Sequence, residues 1–337
     1  MQVKTIGLDI AKSWFQVHGI DDRGQPVLRK KLARSKVVEF FAALPSCTIG
    51  IEAGGGAHYW ARELAKYGHT VRLMPPQYVK PYVKTNKHDA ADAEAICEAV
   101  QRPGMRFVPV KDMEQQSLTM LHRVRDQLIG QRTATINALR GHMAELGIVA
   151  ARGQGGLAEL RLIIGDLDDG RVPPLGREML QMLVVSLRQI EEKVADLDRR
   201  LIQLARAVPS CARLVEVPGI GPVISTALVA AVADGRTFRS GRHLAAWIGL
   251  VPRQHSSGGK ERTLGLSKRG DGYLRRQLVH GARSVVRVAR GRDGGLWSWI
   301  NRLLERRPLN VVVAAVANKL ARIAWALLAR NDRWRTA

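Results

Sequence analysis

Residues 3–10, VKTIGLDI, alternate in character: Ile6, Leu8 and Ile10 fall on one side, Gly7 and Asp9 on the other. A two-residue period predicts a strand with one apolar face, and this one ends near an acid. Outward from it, Phe15–Ile20 predicts a second strand, turned by Asp21-Asp22-Arg23-Gly24, and Val27–Leu32 a third. Lys36–Leu44 has helical character. Thr48–Glu52, TIGIE, predicts another short strand that also closes on an acid. The run AGGG and a helix over about 57–67 follow it, and Thr70–Met74 predicts a further strand stopped by Pro75-Pro76. Strands first, then alternating helix and strand, predict a mixed sheet with helices on its faces.

The stretch 86–94, NKHDAADAE, comes next and places Asp89 and Asp92 three residues apart in an alanine-rich helical segment. Residues at i and i+3 share a helical face. Two close carboxylates repel unless a cation sits between them. Alone, such a pair is a solvated acidic turn, Asp9 a turn residue and Glu52 a surface residue. Jointly they read differently. An acid on a central strand, one on a neighbouring strand and a pair on a closing helix is how a ribonuclease-H-like α/β fold builds a two-metal site. Asp9, Glu52, Asp89 and Asp92 are therefore the candidate catalytic and metal-ligating residues. Hard divalent cations such as Mg²⁺ take oxygen ligands, and two of them about 3.5–4 Å apart stabilise both the attacking and leaving oxygens of a phosphoryl transfer.

The formal charge of +23 on 337 residues, with pI near 10.8, points to a polyanionic partner. A membrane is a weak reading. The most apolar stretch, 309–329, is interrupted by Asn318, Lys319 and Arg322 and predicts a buried helix. The start, MQVKTIGLDIAK, lacks the pattern of a signal peptide. Cys47, Cys97 and Cys211 are far apart, so a reduced, cytoplasmic protein without structural zinc or disulfides is expected.

Residues 112–146 are rich in helix formers, with Gly147 as a stop, and 152–156 read as a Gly-rich link. Leu183, Leu187, Ile190, Val194, Leu197, Leu201 and Leu204 form an a/d heptad seam. It predicts an antiparallel coiled-coil hairpin with the 112–146 helix and a dimer contact. Further on, Pro218-Gly219-Ile220-Gly221-Pro222 lies between two apolar helical runs. This resembles a helix-hairpin-helix, in which backbone N–H groups at Gly219 and Gly221 meet a phosphate; an ordinary tight turn has the same outline. Between Arg236 and Arg290 thirteen Lys/Arg face two acids. The loop HSSGGK, 255–260, lies among them. Ser257 precedes Gly258-Gly259, where a DNA backbone has room to approach, and a serine nucleophile needs its charge neutralised nearby. Arg253, Lys260, Lys268 and Arg269 are placed to bind that phosphate, and Arg275 and Arg276 extend the same basic surface. Three regions follow: 1–106 with the metal site, 107–207 as a helical coiled-coil region, and 208–337 as a mainly α domain with the hairpin turn and the serine loop.

At these residues the chain resembles an insertion-sequence transposase of the IS110 family, over essentially its whole length. GLDIAK (7–12), IEAGGG (51–56) and NKHDAADAEAI (86–96) are similar to the family's RuvC-like N-terminal domain. PGIGPVISTALVA (218–230), LAAWIGLVPRQHSSGGK (244–260) and LGLSKRGDGYLRRQLVHGAR (264–283) are similar to its C-terminal transposase domain. The resemblance implies a recombinase guided by a structured non-coding RNA, the bridge RNA, whose loops pair with target and donor DNA. It implies Mg²⁺ on the Asp-Glu-Asp-Asp quartet and a covalent phosphoserine–DNA link at Ser257. It also implies a composite site in a homodimer or homotetramer, in the bacterial cytoplasm at the nucleoid. The serine is doubled here, so Ser256 remains open as the nucleophile, and Tyr273 is a further alternative. Two other readings stand beside this one: a resolvase-like two-metal nuclease whose serine is structural, and a non-catalytic nucleic-acid-binding protein.

Overall fold

The computed structural model describes residues 2–84, 89–232, 235–256, 258, 260 and 262–335. The chain forms two compact units, residues 1–114 and 115–337.

The first unit is built on a five-stranded sheet. Its strands are β1 (Thr5–Ile10), β2 (Trp14–Ile20), β3 (Pro26–Ala33), β4 (Thr48–Glu52) and β5 (Thr70–Met74), in the order β3-β2-β1-β4-β5. β1, β2 and β3 pair antiparallel, whereas β4 and β5 run parallel to β1. Helices α1 (Val37–Ala42), α2 (Ala57–Ala65), α3 (Pro76–Val79) and α4 (Asp89–Val100) complete it. One face of the sheet carries the alternating apolar side chains. Ile6, Leu8, Phe15, Val17, Ile49 and Ile51 are buried there with Val37 and Phe41 of α1 and Trp60 and Leu64 of α2. The other face of β1 and β4 lies under α4.

Two glycines let α4 seat so closely. A Cβ on Gly7 would stand 2.1 Å from the Ala93 carbonyl oxygen and 2.4 Å from the Cys97 nitrogen. A Cβ on Gly50 would stand 2.8 Å from the Val100 Cβ. Glycine inside a strand marks such a close backbone approach. The Cys97 thiol donates to the Thr5 carbonyl at 3.7 Å across the same junction.

The second unit is mostly helical: α5 (Met113–Glu145, whose first two residues belong to the first unit), α6 (Gln154–Gly165), α7 (Pro174–Ala207), α8 (Pro209–Val215), α9 (Pro222–Val232), α10 (Gly241–Ile248), α11 (Gly272–Arg287), α12 (Gly295–Leu304) and α13 (Leu309–Arg330). A hairpin of β6 (Pro252–Gln254) and β7 (Thr263–Leu266) interrupts the helices. α5 ends as the glycine stop predicts, with Gly147 at φ +73° and the Ile148 N–H donating to the Met143 carbonyl. Leu139 and Met143 of α5 pack with Leu180 and Leu187 of α7, and Arg125 pairs with Asp198, so the two helices run antiparallel. The Gly-rich stretch 152–156 is not wholly a link, because α6 begins at Gln154. Along the heptad seam Leu187, Val194 and Leu201 are buried, and Leu183, Ile190, Leu197 and Leu204 are half-buried.

Two separate cores support the middle and C-terminal parts of this unit. α13 is long and apolar enough to cross a membrane. It instead supplies Val312, Val316, Leu320, Ala324 and Leu327 to the C-terminal core. Its polar residues are used there: the Asn318 amide donates to the Leu250 carbonyl, and the Trp325 indole to the Gly235 and Phe238 carbonyls.

Candidate active site

Asp9 and Glu52 close neighbouring parallel strands. Leu8 lies opposite Ile51, so the two acids are next in register at the carboxyl ends of β1 and β4. Each follows a glycine by two residues, so each projects from the face on which α4 rests. α4 starts at Asp89 and carries Asp89 and Asp92 in its first turn, where the helix dipole favours negative charge. Seating the helix on Gly7 and Gly50 thus brings its acidic start to the strand ends.

The electrostatics report the outcome. The Asp9 carboxyl is pushed up from 3.8 to about 6, first by burial and then by Asp92, Asp89 and Glu52 in that order. A smaller pull downward comes from the Ile10 N–H. The three other acids singled out by the sequence therefore each act on Asp9. Among the described residues, however, no group of three or more His, Cys, Asp or Glu stands at metal-ligand spacing. The carboxylates lie near enough to repel and are not drawn together as ligands.

In the second unit Ser256 is exposed in the loop that joins β6 to β7, while Ser257, like Gly259, lies outside the described residues. The strands of this hairpin were not legible in the sequence, where the region read as a loop. Arg253, Lys260, Lys268 and Arg269 are exposed around it. Lys268 takes the left-handed conformation, φ +54°. The backbone is crowded there: a Cβ on Gly249 would meet the Arg269 carbonyl oxygen at 2.1 Å, and one on Gly270 the Trp247 carbonyl oxygen at 1.8 Å. Arg275 and Arg276 already have partners in the chain. Arg275 donates to the Ile248 carbonyl at 3.0 Å, and Arg276 pairs with Asp126 and lies over the Tyr273 ring.

The turn between α8 and α9 lines a cavity of about 610 Å³ with Gln277, His280 and Ser284 of α11. Gly219 sits at φ +88° with its carbonyl oxygen 2.0 Å from where a Gly281 Cβ would be, so the turn and α11 touch backbone to backbone. At Gly221 an added Cβ would meet nothing within 4 Å, and its carbonyl accepts from the Ile224 and Ser225 N–H groups.

Tyr273 is not placed as a nucleophile. Its hydroxyl lies 2.9 Å from Nδ1 of His122, whose Nε2 lies 3.1 Å from the Thr226 hydroxyl. Thr226 donates to the Pro222 carbonyl, so it accepts from His122 Nε2–H, which leaves Nδ1 to accept from Tyr273. Burial, with Arg125 adding to it, holds His122 down at about 4. Burial also raises the Tyr273 hydroxyl above its ordinary value. A neutral histidine and a raised phenol form a structural joint between α5, α9 and α11.

A mixed α/β unit with two carboxylates at its strand ends and two on α4, followed by a mostly helical remainder, is compatible with a DEDD nuclease-like domain. Residues 6–148 match the DEDD transposase domain named for IS110, and residues 211–294 match the "Transposase IS116/IS110/IS902 family". The chain belongs to this transposase family. It is 50% identical to a "Probable family 20 transposase" of Pseudomonas aeruginosa over 99% of both chains. It is 42% identical to the "Transposase for insertion sequence element IS1111A" of Coxiella burnetii, over 99% of this chain and 92% of that one. It is 29% identical to a "Pilin gene-inverting protein" of Moraxella lacunata, over 83% and 80%. As a transposase it is a DNA-cleaving and rejoining enzyme.

Proposed function

We propose that the enzyme cuts and rejoins DNA with Mg²⁺ held by Asp9, Glu52, Asp89 and Asp92 and with a serine of the 255–260 loop as nucleophile. The observation that carries this is the setting of Asp9, a half-buried carboxyl raised to about 6 first by burial and then by three other acids. An all-oxygen donor set whose members repel fits a hard divalent cation. Acids at the ends of the neighbouring strands β1 and β4 and on α4 support the ribonuclease-H-like reading. When bound, two Mg²⁺ would stabilise charge on the attacking and leaving oxygens of phosphoryl transfer. Asp9 must be ionised to serve, so the site loads as pH rises through about 6.

The serine hydroxyl, Ser257 or its neighbour Ser256, attacks the phosphorus. Its Oγ–P bond forms as the hydroxyl proton is lost to solvent and the bond to the DNA 3′-oxygen breaks, and the released 3′-oxygen takes a proton from solvent to leave a 3′-hydroxyl. Arg253, Lys260, Lys268 and Arg269 surround the loop and offset the phosphate charge. The α8–α9 turn, with Gly219 and Gly221, takes a backbone phosphate as a helix-hairpin-helix. Arg275 and Arg276 contribute less directly, given their partners within the chain. The relative named for inverting a pilin gene supports strand exchange as the outcome.

Sequence choice falls to a bridge RNA that pairs with donor and target DNA, a reading supported by the resemblance and by a net charge of +23 suited to backbone contact. A homodimer or homotetramer is supported by an exposed apolar stripe on α7, with Leu175 71%, Met179 45% and Met182 60% exposed. The enzyme works in the cytoplasm at the nucleoid. The test incubates purified protein and its RNA with the element's DNA ends and Mg²⁺. A denaturant-resistant protein–DNA adduct, lost on Ser257→Ala or Ser256→Ala, supports the serine step. Nicking without any adduct refutes it and favours the two-metal nuclease.

A further inference from the structure

A second cavity, of about 690 Å³, opens in the first unit. The strand pairing assembles it. β2 begins where β1 ends, and Trp14 at its start pairs with Ala33 at the end of β3. The β1–β2 turn brings Lys12 and Ser13, the end of β3 brings Arg34 and Ser35, and the first turn of α2 brings Tyr59 and Trp60. The cavity therefore shares the sheet end of Asp9 and Glu52, on the face that carries α1 and α2.

Its lining joins two cations, two serine hydroxyls and two aromatic side chains with no carboxylate. The Arg34 guanidinium lies 5.2 Å from the Trp60 ring centre and 5.7 Å from that of Phe15, which fixes the cation on an aromatic base. Trp60 is buried, and its indole N–H has no acceptor among the described residues. Tyr59 stands edge-on to Trp60 at 5.2 Å and is 47% exposed, so its ring is braced yet open. Cations for a phosphate beside an exposed aromatic ring for a base are the elements of a single-strand binding site.

We propose that this cavity takes one unpaired nucleotide of the DNA strand being cut, its base stacked on Tyr59 and its phosphate held by Lys12 and Arg34. The proposal rests on the carboxylate reading above. The cavity and the carboxylates share one end of the sheet, on opposite faces, so a strand bound at the carboxylates that crosses the sheet end would enter the cavity. That position favours the cut DNA over a guide RNA.

The test uses the full-length protein in EDTA, so that the strand is bound and not cut. The probe is a short single-stranded DNA carrying one 2-aminopurine, read by anisotropy and by stacking quench. Tyr59→Ala should weaken binding roughly 5- to 150-fold and abolish the quench, and Tyr59→Trp should restore both. Lys12→Ala should lower the salt dependence by about one phosphate contact. An abasic site in place of the fluorescent base should make wild type and Tyr59→Ala equal. Unchanged affinity and quench in Tyr59→Ala overturn the proposal. So does an RNA strand of the same sequence that is bound more tightly and alone senses Tyr59. Asp9→Asn separates the two readings: cleavage lost with quench retained upholds both, and a lost Tyr59 effect beside an intact Asp9 effect sinks only this one.

Discussion

Replacing Asp9 by Asn should make the metal-free protein more stable at pH 8 while abolishing DNA cleavage. The carboxyl titrates at about 6 in the fold against 3.8 in its ordinary state. A raised folded value means that the stability contributed by the proton is fully present below about 4. It is lost as pH rises through about 6. The difference of about two units corresponds to roughly 3 kcal/mol at 1.36 kcal/mol per unit. Asp9 is half-buried, so solvent screening reduces this to about 1.5 kcal/mol. An amide of the same shape carries no such charge, so Asp9→Asn should recover about 1.5 kcal/mol at pH 8, or roughly 5 °C in the unfolding of the first unit. At pH 4 the two proteins should melt alike. Mg²⁺ should reverse the order at pH 8, because at a hundredfold excess over Kd it adds about 2.7 kcal/mol to the wild type and much less to the variant. The assay is thermal unfolding in EDTA and in Mg²⁺ between pH 4 and pH 8, with cleavage measured in parallel. A variant no more stable than wild type at pH 8 in EDTA would refute the burial and crowding that raise the Asp9 carboxyl, whatever became of cleavage.

Other consequences can be checked separately. Gly7→Ala sets a methyl against the Ala93 carbonyl oxygen and the Cys97 nitrogen, backbone atoms that cannot swing aside. It should cost about 3 kcal/mol and cut cleavage by displacing Asp89 and Asp92, as melting and a nicking assay will show; a stable, active variant would contradict the seating of α4. Asp92→Asn should abolish strand cleavage and leave RNA binding intact, measured by gel shift; retained Mg²⁺-dependent cleavage would remove Asp92 from the ligand set. Gly281→Ala pushes against the Gly219 carbonyl oxygen and should weaken duplex DNA binding, read by anisotropy, with the cleavage of short strands less affected. Burial raises the thiols of Cys47, Cys97 and Cys211 to about 11, 12 and 11, so alkylating reagents should label them only after unfolding.

How much of this was legible follows from where each signal resides. Period-two alternation placed β1 and β4 and put an acid at the end of each, because a half-buried strand writes its two faces into the sequence. The heptad placed α7 by the same logic. What the alternation did not disclose was the use of the second face. Gly7 and Gly50 stand two residues before Asp9 and Glu52, in the parallel phrases GLD and GIE, and in isolation each glycine reads as a weak spot in a strand. Only with α4 in place are they the reason for the site, since any larger side chain would hold the acidic turn away from the strand ends. The phrase repeated on two strands was a usable signal: a small residue and an acid sharing one face, twice, specify a helix that docks and a charge that meets it. The β6–β7 hairpin had no such phrase. Its strands are three and four residues long, with Pro252–Gln254 exposed throughout, so no buried face imposes a period. His122 was equally silent, because a single histidine in a helix announces nothing until Tyr273 and Thr226 arrive from 151 and 104 residues away. The same holds for the cavity at Tyr59, whose walls lie next to one another only once β1, β3 and α2 share an end. Local periodicity thus dictates which elements form, while sites made by elements distant in sequence are specified by the small residues that permit contact, and those are where further functional residues in such a chain should be sought.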